Sequence, residues 1–163
     1  MSTIAKKSLR VGKYVDENHV DTLIRGYKQE RWKYNSERMG REDSLCLSLT
    51  VDELQEFLQR SKEAGADSIR VHFGVYPNNF AERPENAGKQ TVVFVASQTV
   101  ETETGAVEKN IFVPTENGPR ILAYNMLRYP SRPEPDGRGI ADDDWGGIGT
   151  TLVDLGNKGM VVV

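Results

Sequence analysis

Ser68-Ile69-Arg70-Val71-His72-Phe73-Gly74-Val75-Tyr76 is the stretch that decides the fold. It alternates strictly, with Ile69, Val71, Phe73 and Val75 on one side and Arg70, His72 and Tyr76 on the other. Alternation of period two is the pattern of a strand with one covered face. The sequence therefore predicts that the aliphatic and Phe row is buried and that Arg70, His72 and Tyr76 form the opposite face.

Working outward, Ala64-Gly65 before this strand is a helix stop, and the segment ahead of it carries the start signal. Thr50-Val51-Asp52-Glu53 is a capping box, in which the Thr hydroxyl accepts from the Glu53 amide while the Glu53 carboxylate reaches back. Leu54, Phe57 and Leu58 then mark a helical stripe. After the strand, residues 77–89 read as a polar loop. Thr91-Val92-Val93-Phe94-Val95-Ala96 is an unbroken apolar run that suits a central strand. Glu103-Thr104-Gly105-Ala106 is a hairpin turn candidate, with a returning strand over 109–113, and Pro114 to Pro119 punctuates again. Residues 121–127 are apolar but too short to assign.

Toward the N-terminus, Asp16 can cap a helix. Val20, Leu23, Ile24, Tyr27 and Arg31 fall on one helical stripe, which predicts a helix over 17–32. Asn35-Ser36 breaks the pattern, so 35–43 reads as a loop, and Ser44 to Leu49 alternates as a short strand. Residues 129–149 crowd Pro, Gly and Asp into a linker-like stretch. The C-terminus reads as two β runs, 151–155 and 160–163, around Gly156-Asn157-Lys158-Gly159. The fold class that follows is α+β: an antiparallel or mixed sheet of about four to six strands with two helices packed on one face. One domain over 1–163 is expected, with an arm at 1–15 and a tail segment at 129–149.

Composition narrows function mainly by exclusion. The net charge is −3 and the chain holds no long apolar run, so it offers no global attraction for nucleic acid and no membrane span. The first residues lack a signal-peptide core, and Cys46 has no cysteine to pair with; both fit a cytoplasmic protein. Lys6, Lys7, Arg10 and Lys13 make the arm basic, while Asp136, Asp142, Asp143, Asp144 and Asp154 make the later segment acidic. Asp142-Asp143-Asp144 does not sit in calcium-loop spacing. Gly146-Gly147-Ile148-Gly149 lacks the lysine of a phosphate loop. His19, His72 and Cys46 do not make a zinc set. No cofactor is called for.

The candidate ligand-binding residues are Arg70, His72 and Tyr76. Arg70 can hold a carboxylate or phosphate, and His72 can move a proton near neutral pH. Arg70 could instead pair with a helix carboxylate such as Glu53 or Glu56. No nucleophile stands in a recognisable context, so the sequence favours a non-catalytic binding or protein-interaction module, either an accessory subunit or a small-ligand sensor. The alternative is a small enzyme working on the Arg70, His72 and Tyr76 face of what is expected to be a central strand. The apolar strand Met160 to Val163 suits pairing with a sheet edge, its own or that of a protein partner or second chain.

The order of the pieces resembles a family. A helix ending near Tyr27-Lys28-Gln29 and a capped helix precede Gly65-Ala66-Asp67-Ser68-Ile69-Arg70-Val71-His72-Phe73-Gly74; then comes Gly88-Lys89-Gln90-Thr91-Val92-Val93-Phe94-Val95. This resembles small uncharacterised cytoplasmic proteins of Bacteroidota with a Gly-x-x-x-Ile-Arg-x-Tyr-like strand, over about residues 16–98. The chain has His72 where the resemblance implies an aromatic, commonly Tyr. That family carries no established activity, so the resemblance bears on the fold.

Overall fold

The chain forms helix behind the Asp16 and Thr50 caps and strand over the alternating run from Ser68. A computed structural model describes residues 11–128, 152–154 and 160–162. Helix α1 is Glu17–Tyr27, started by Asp16, whose Oδ1 accepts from the His19 amide at 2.9 Å. A π-helical segment, Lys28–Trp32, and helix α2, Lys33–Met39, follow. Helix α3 is Val51–Glu63, opened by the full Thr50–Glu53 capping box. Strand β1 is Ser68–Val75, β2 Gln90–Thr102, β3 Gly105–Asn110, β4 Phe112–Val113, β5 Arg120–Ile121 and β6 Ala123–Tyr124. Strands β7, Leu152–Asp154, and β8, Met160–Val162, pair antiparallel with each other. The fold is α+β.

The residues cluster into two units, Met1–Arg31 with Glu134–Val163, and Trp32–Pro133. The second unit holds the main sheet. Its order is β1-β2-β3, all antiparallel, with the short β6 also on β2. The long apolar run is the centre, as its composition implies. Beneath α3, Phe57 packs with Ala96 and Ile111, and Ile69, Phe94, Leu122 and Tyr124 close around them. The Phe57 ring lies 6.1 Å from those of both Phe94 and Tyr124, within the spacing of favourable aromatic pairs. Gly65, at φ 90°, turns the chain out of α3 in a conformation other residues adopt only with strain.

Two local expectations are corrected. Residues 35–39, expected as loop, are helical. The Asn35 and Ser36 side chains do not break the helix because they bond forward to Asp43: Asn35 Nδ2 donates to Asp43 Oδ2 at 3.1 Å, and the Asp43 amide donates to Ser36 Oγ at 2.9 Å. The helix ends instead on Gly40, at φ 70°. Ser44 to Leu49 is not a strand. Its start is held by side chains rather than by a ladder, with Ser44 Oγ donating to the Gln90 carbonyl. Asp43 is the hub here. It is buried, takes the Trp32 indole N–H on its carbonyl at 2.8 Å, and accepts the Ser44 and Gln90 amides on Oδ1, both at 2.8 Å. A buried carboxylate persists when its oxygens are bonded in this way. The tail at 129–149 and the arm before residue 11 lie outside the described residues.

Candidate functional site

Strand β1 positions everything that the sequence singled out. Ser68 pairs with Ser97 and Val75 with Gln90, so the register is unbroken over eight residues. Arg70, His72 and Tyr76 share one side of the strand, about 7 Å apart at each two-residue step. Arg70 reaches across β2 to β3: its Nε lies 2.5 Å from Glu108 Oε2, and its Nη2 donates to the Glu108 carbonyl at 3.2 Å. The partner is thus a strand carboxylate, and the expected pairing with Glu53 or Glu56 is corrected. Those two lie on α3, which packs on the side of the sheet that carries Ile69 and Phe94, opposite to Arg70.

Tyr76 is buried and its hydroxyl is engaged. It donates to Asn125 Oδ1 at 2.6 Å and accepts from Thr91 Oγ1 at 3.2 Å, and its ring stacks on Phe80 at 4.7 Å. Asn125 Nδ2 in turn donates to Thr91 Oγ1 and to the Val92 carbonyl. His72 is exposed. The three residues share a face, but the guanidinium of Arg70 and the hydroxyl of Tyr76 are each committed to their own neighbour.

The other side of β1 reverses the sequence expectation. Val71, Phe73 and Val75 are exposed, Phe73 to 81%. Alternation correctly places them together, but it does not say how much of the face is covered. Phe57 lies over one end of that face, against Ile69, Phe94 and Ala96. Leu58, next on the helical stripe, is itself exposed. The remainder, Val71, Phe73 and Val75, lies beyond α3.

Strand β1 is an edge strand, paired with β2 alone among the described strands, and not the central strand expected for the Arg70, His72 and Tyr76 row; its outer edge is open. The Ala96 amide donates to the Leu122 carbonyl and its own carbonyl accepts from Ile111, so even-numbered residues of β2 bond away from β1. Odd-numbered residues of β2 therefore face β1, and their partners are Arg70, His72 and Gly74. Ile69, Val71, Phe73 and Val75 turn their N–H and C=O groups to the outside. Among the described residues no other strand pairs with that edge. Among the described residues the result is a row of backbone groups without a strand partner beside a row of exposed apolar side chains.

A second cluster sits where α3 meets β6. The Tyr124 hydroxyl donates to Glu53 Oε2, while Glu53 Oε1 caps the Thr50 amide and faces Arg128 Nη2 at 4.0 Å. The bond from Tyr124, then the Thr50 amide and the Arg128 charge hold the Glu53 carboxyl below its usual range. The same carboxylate pushes the Tyr124 phenol up. Glu53, Glu56, Phe57, Arg60, Leu122, Ala123 and Tyr124 line a cavity of about 100 Å³, too small for most organic ligands. A phenol held neutral and a carboxylate held charged make a clasp between helix and strand. Sequence reasoning read Glu53 as a cap and as a possible partner of Arg70; Tyr124 lay in an unassigned run, where a Tyr-Asn pair among apolar residues was the available signal.

Burial raises the Cys46 thiol, which disfavours its thiolate. Among the described residues no group of three His, Cys, Asp or Glu side chains could hold a metal ion. No described helix is long and apolar enough to cross a membrane. No family model matches the chain, and neither a curated protein nor a solved structure shows significant similarity to it.

Proposed function

We propose that the protein is a non-catalytic interaction module whose binding surface is the outer edge of β1 with its apolar row. The observation that carries this reading is the exposure of Phe73 on a strand with free backbone groups. Exposed apolar residues scattered singly need no explanation, but a contiguous row along an open edge is the form that accepts another strand. Backbone hydrogen bonds would supply affinity, and Val71, Phe73 and Val75 would select the incoming side chains. Strand β8, the apolar C-terminal run, already pairs with β7, so β1 is the stronger candidate for a protein partner.

The test is site-specific photo-crosslinking in cells, with a benzophenone amino acid at Phe73 or Val75 and, as control, at exposed Val107 of β3. A discrete adduct from positions 73 and 75, absent from 107, supports the reading. Absence of any discrete adduct from 73 and 75 refutes it.

A further inference from the structure

The open edge has one occupant written into its own sequence. Val71-His72-Phe73-Gly74-Val75 has the same outline in both directions, Val-x-Phe-x-Val, and its odd positions are the ones that bond outward. Strand edges are usually blunted by Pro, Lys, a bulge or an inward charge. Between Val71 and Tyr76 the strand has no Pro, Lys or acid, and its pairing to β2 carries no bulge. We infer that the partner is a second copy of this chain, with β1 antiparallel to β1 across a two-fold axis centred on Phe73. The inference rests on the β1 surface proposed above and narrows it to self-pairing.

The register follows from what each choice brings together. Centred on Phe73, the two Phe73 rings lie side by side, Val71 faces Val75 of the second copy, and each pair exchanges two backbone hydrogen bonds. On the opposite face His72 meets Gly74 and Arg70 meets Tyr76, so no like charges oppose. Centring on Val71 would set Arg70 against His72. Centring on Val75 would set Phe73, in the middle of the strand, against Pro77, which has no N–H to give, whereas centring on Phe73 brings Pro77 only opposite Ile69, near the strand's end. The two copies together would form a continuous sheet with both α3 helices on one side and a shared apolar trough between them. A single strand pair is a small contact, below the roughly 1,200 Å² of stable standard interfaces, so the dimer is reversible and depends on concentration.

Two measurements on the full chain test this. Light scattering from low micromolar to millimolar protein should show mass rising toward that of a dimer. Phe73→Asp, which opposes two carboxylates at the axis, should weaken dimerisation about tenfold or more while leaving the circular dichroism unchanged. In a Cys46→Ser background, Val71→Cys chains are mixed with mass-tagged Val75→Cys chains and oxidised. Opposite residues lie about 5.5 Å apart at Cα and can bridge, whereas like positions lie about 14 Å apart and cannot. The mixed disulfide should dominate. Monomer at every concentration overturns the inference, as does a Phe73→Asp dimer of undiminished affinity, and self-disulfides in excess overturn the register. If the chain is monomeric and Phe73 still crosslinks in cells to a protein of different mass, self-pairing fails and the interaction reading stands.

Discussion

Arg70 Nε on β1 lies 2.5 Å from Glu108 Oε2 on β3, across the width of β2. The side chains retain 37% and 39% of their accessible surface. Water therefore screens the pair, and exposed pairs of this kind contribute about 0–1 kcal/mol. Arg70→Ala should shift the melting temperature little, and a double-mutant cycle with Glu108→Ala should give a coupling in that range. A loss above about 3 kcal/mol, the scale of a broken buried pair, would contradict this.

Phe57 is the opposite case. It is 4% exposed and is shared by α3, β2 and β6. Phe57→Ala should cost about 3–5 kcal/mol, read as a lower midpoint in denaturant. A cost under about 1 kcal/mol would show that α3 is not seated by this side chain.

Tyr76→Phe removes one hydroxyl from a closed triangle with Thr91 and Asn125. Thr91 loses an acceptor and Asn125 loses a donor, inside the fold. The expected cost is about 1–3 kcal/mol, measured by thermal unfolding. A neutral substitution would mean that the remaining pair satisfies itself.

Glu53 and Tyr124 contribute to the pH dependence at opposite ends of the range. The Glu53 carboxyl is held below its ordinary 4.5. Its contribution is present above that value and is lost as pH falls through the lowered one. The Tyr124 phenol is raised above 10.0. Its contribution is present below 10.0 and is lost as pH rises through the raised value. Melting temperature against pH should show a plateau with a decline at each end. Tyr124→Phe should remove this group's part of the alkaline decline and flatten the acid one. An unchanged profile in that variant would disprove the clasp.

The sequence carried the local signals well where one short segment contains the whole cause. The Thr50–Glu53 box, the stop at Gly65 and the strand at 68–75 are of this kind, and each is present in the structure. It failed where the cause lies far along the chain. Asn35 and Ser36 look like breakers until Asp43 accepts them. Alternation separated Phe73 from Arg70 but could not say how much of the Phe73 side a helix would cover, because coverage depends on where along the sheet α3 lands. The candidate site suffered most: Arg70, His72 and Tyr76 do share a face, yet the partners of Arg70 and Tyr76 come from β3, β2 and the residue after β6. Periodicity in β1 holds no trace of those segments.

The central claim is that the outer edge of β1 is a free binding surface, and amide hydrogen exchange tests it most directly. In dilute protein the inward amides of Arg70, His72 and Gly74 should be protected by β2, while the outward amides of Val71, Phe73 and Val75 exchange rapidly. At high protein concentration, or with a bound partner, the outward set should gain protection and the inward set should not change. Outward amides already as slow as the inward ones in dilute protein would show that the edge is occupied within the chain, and would contradict the account.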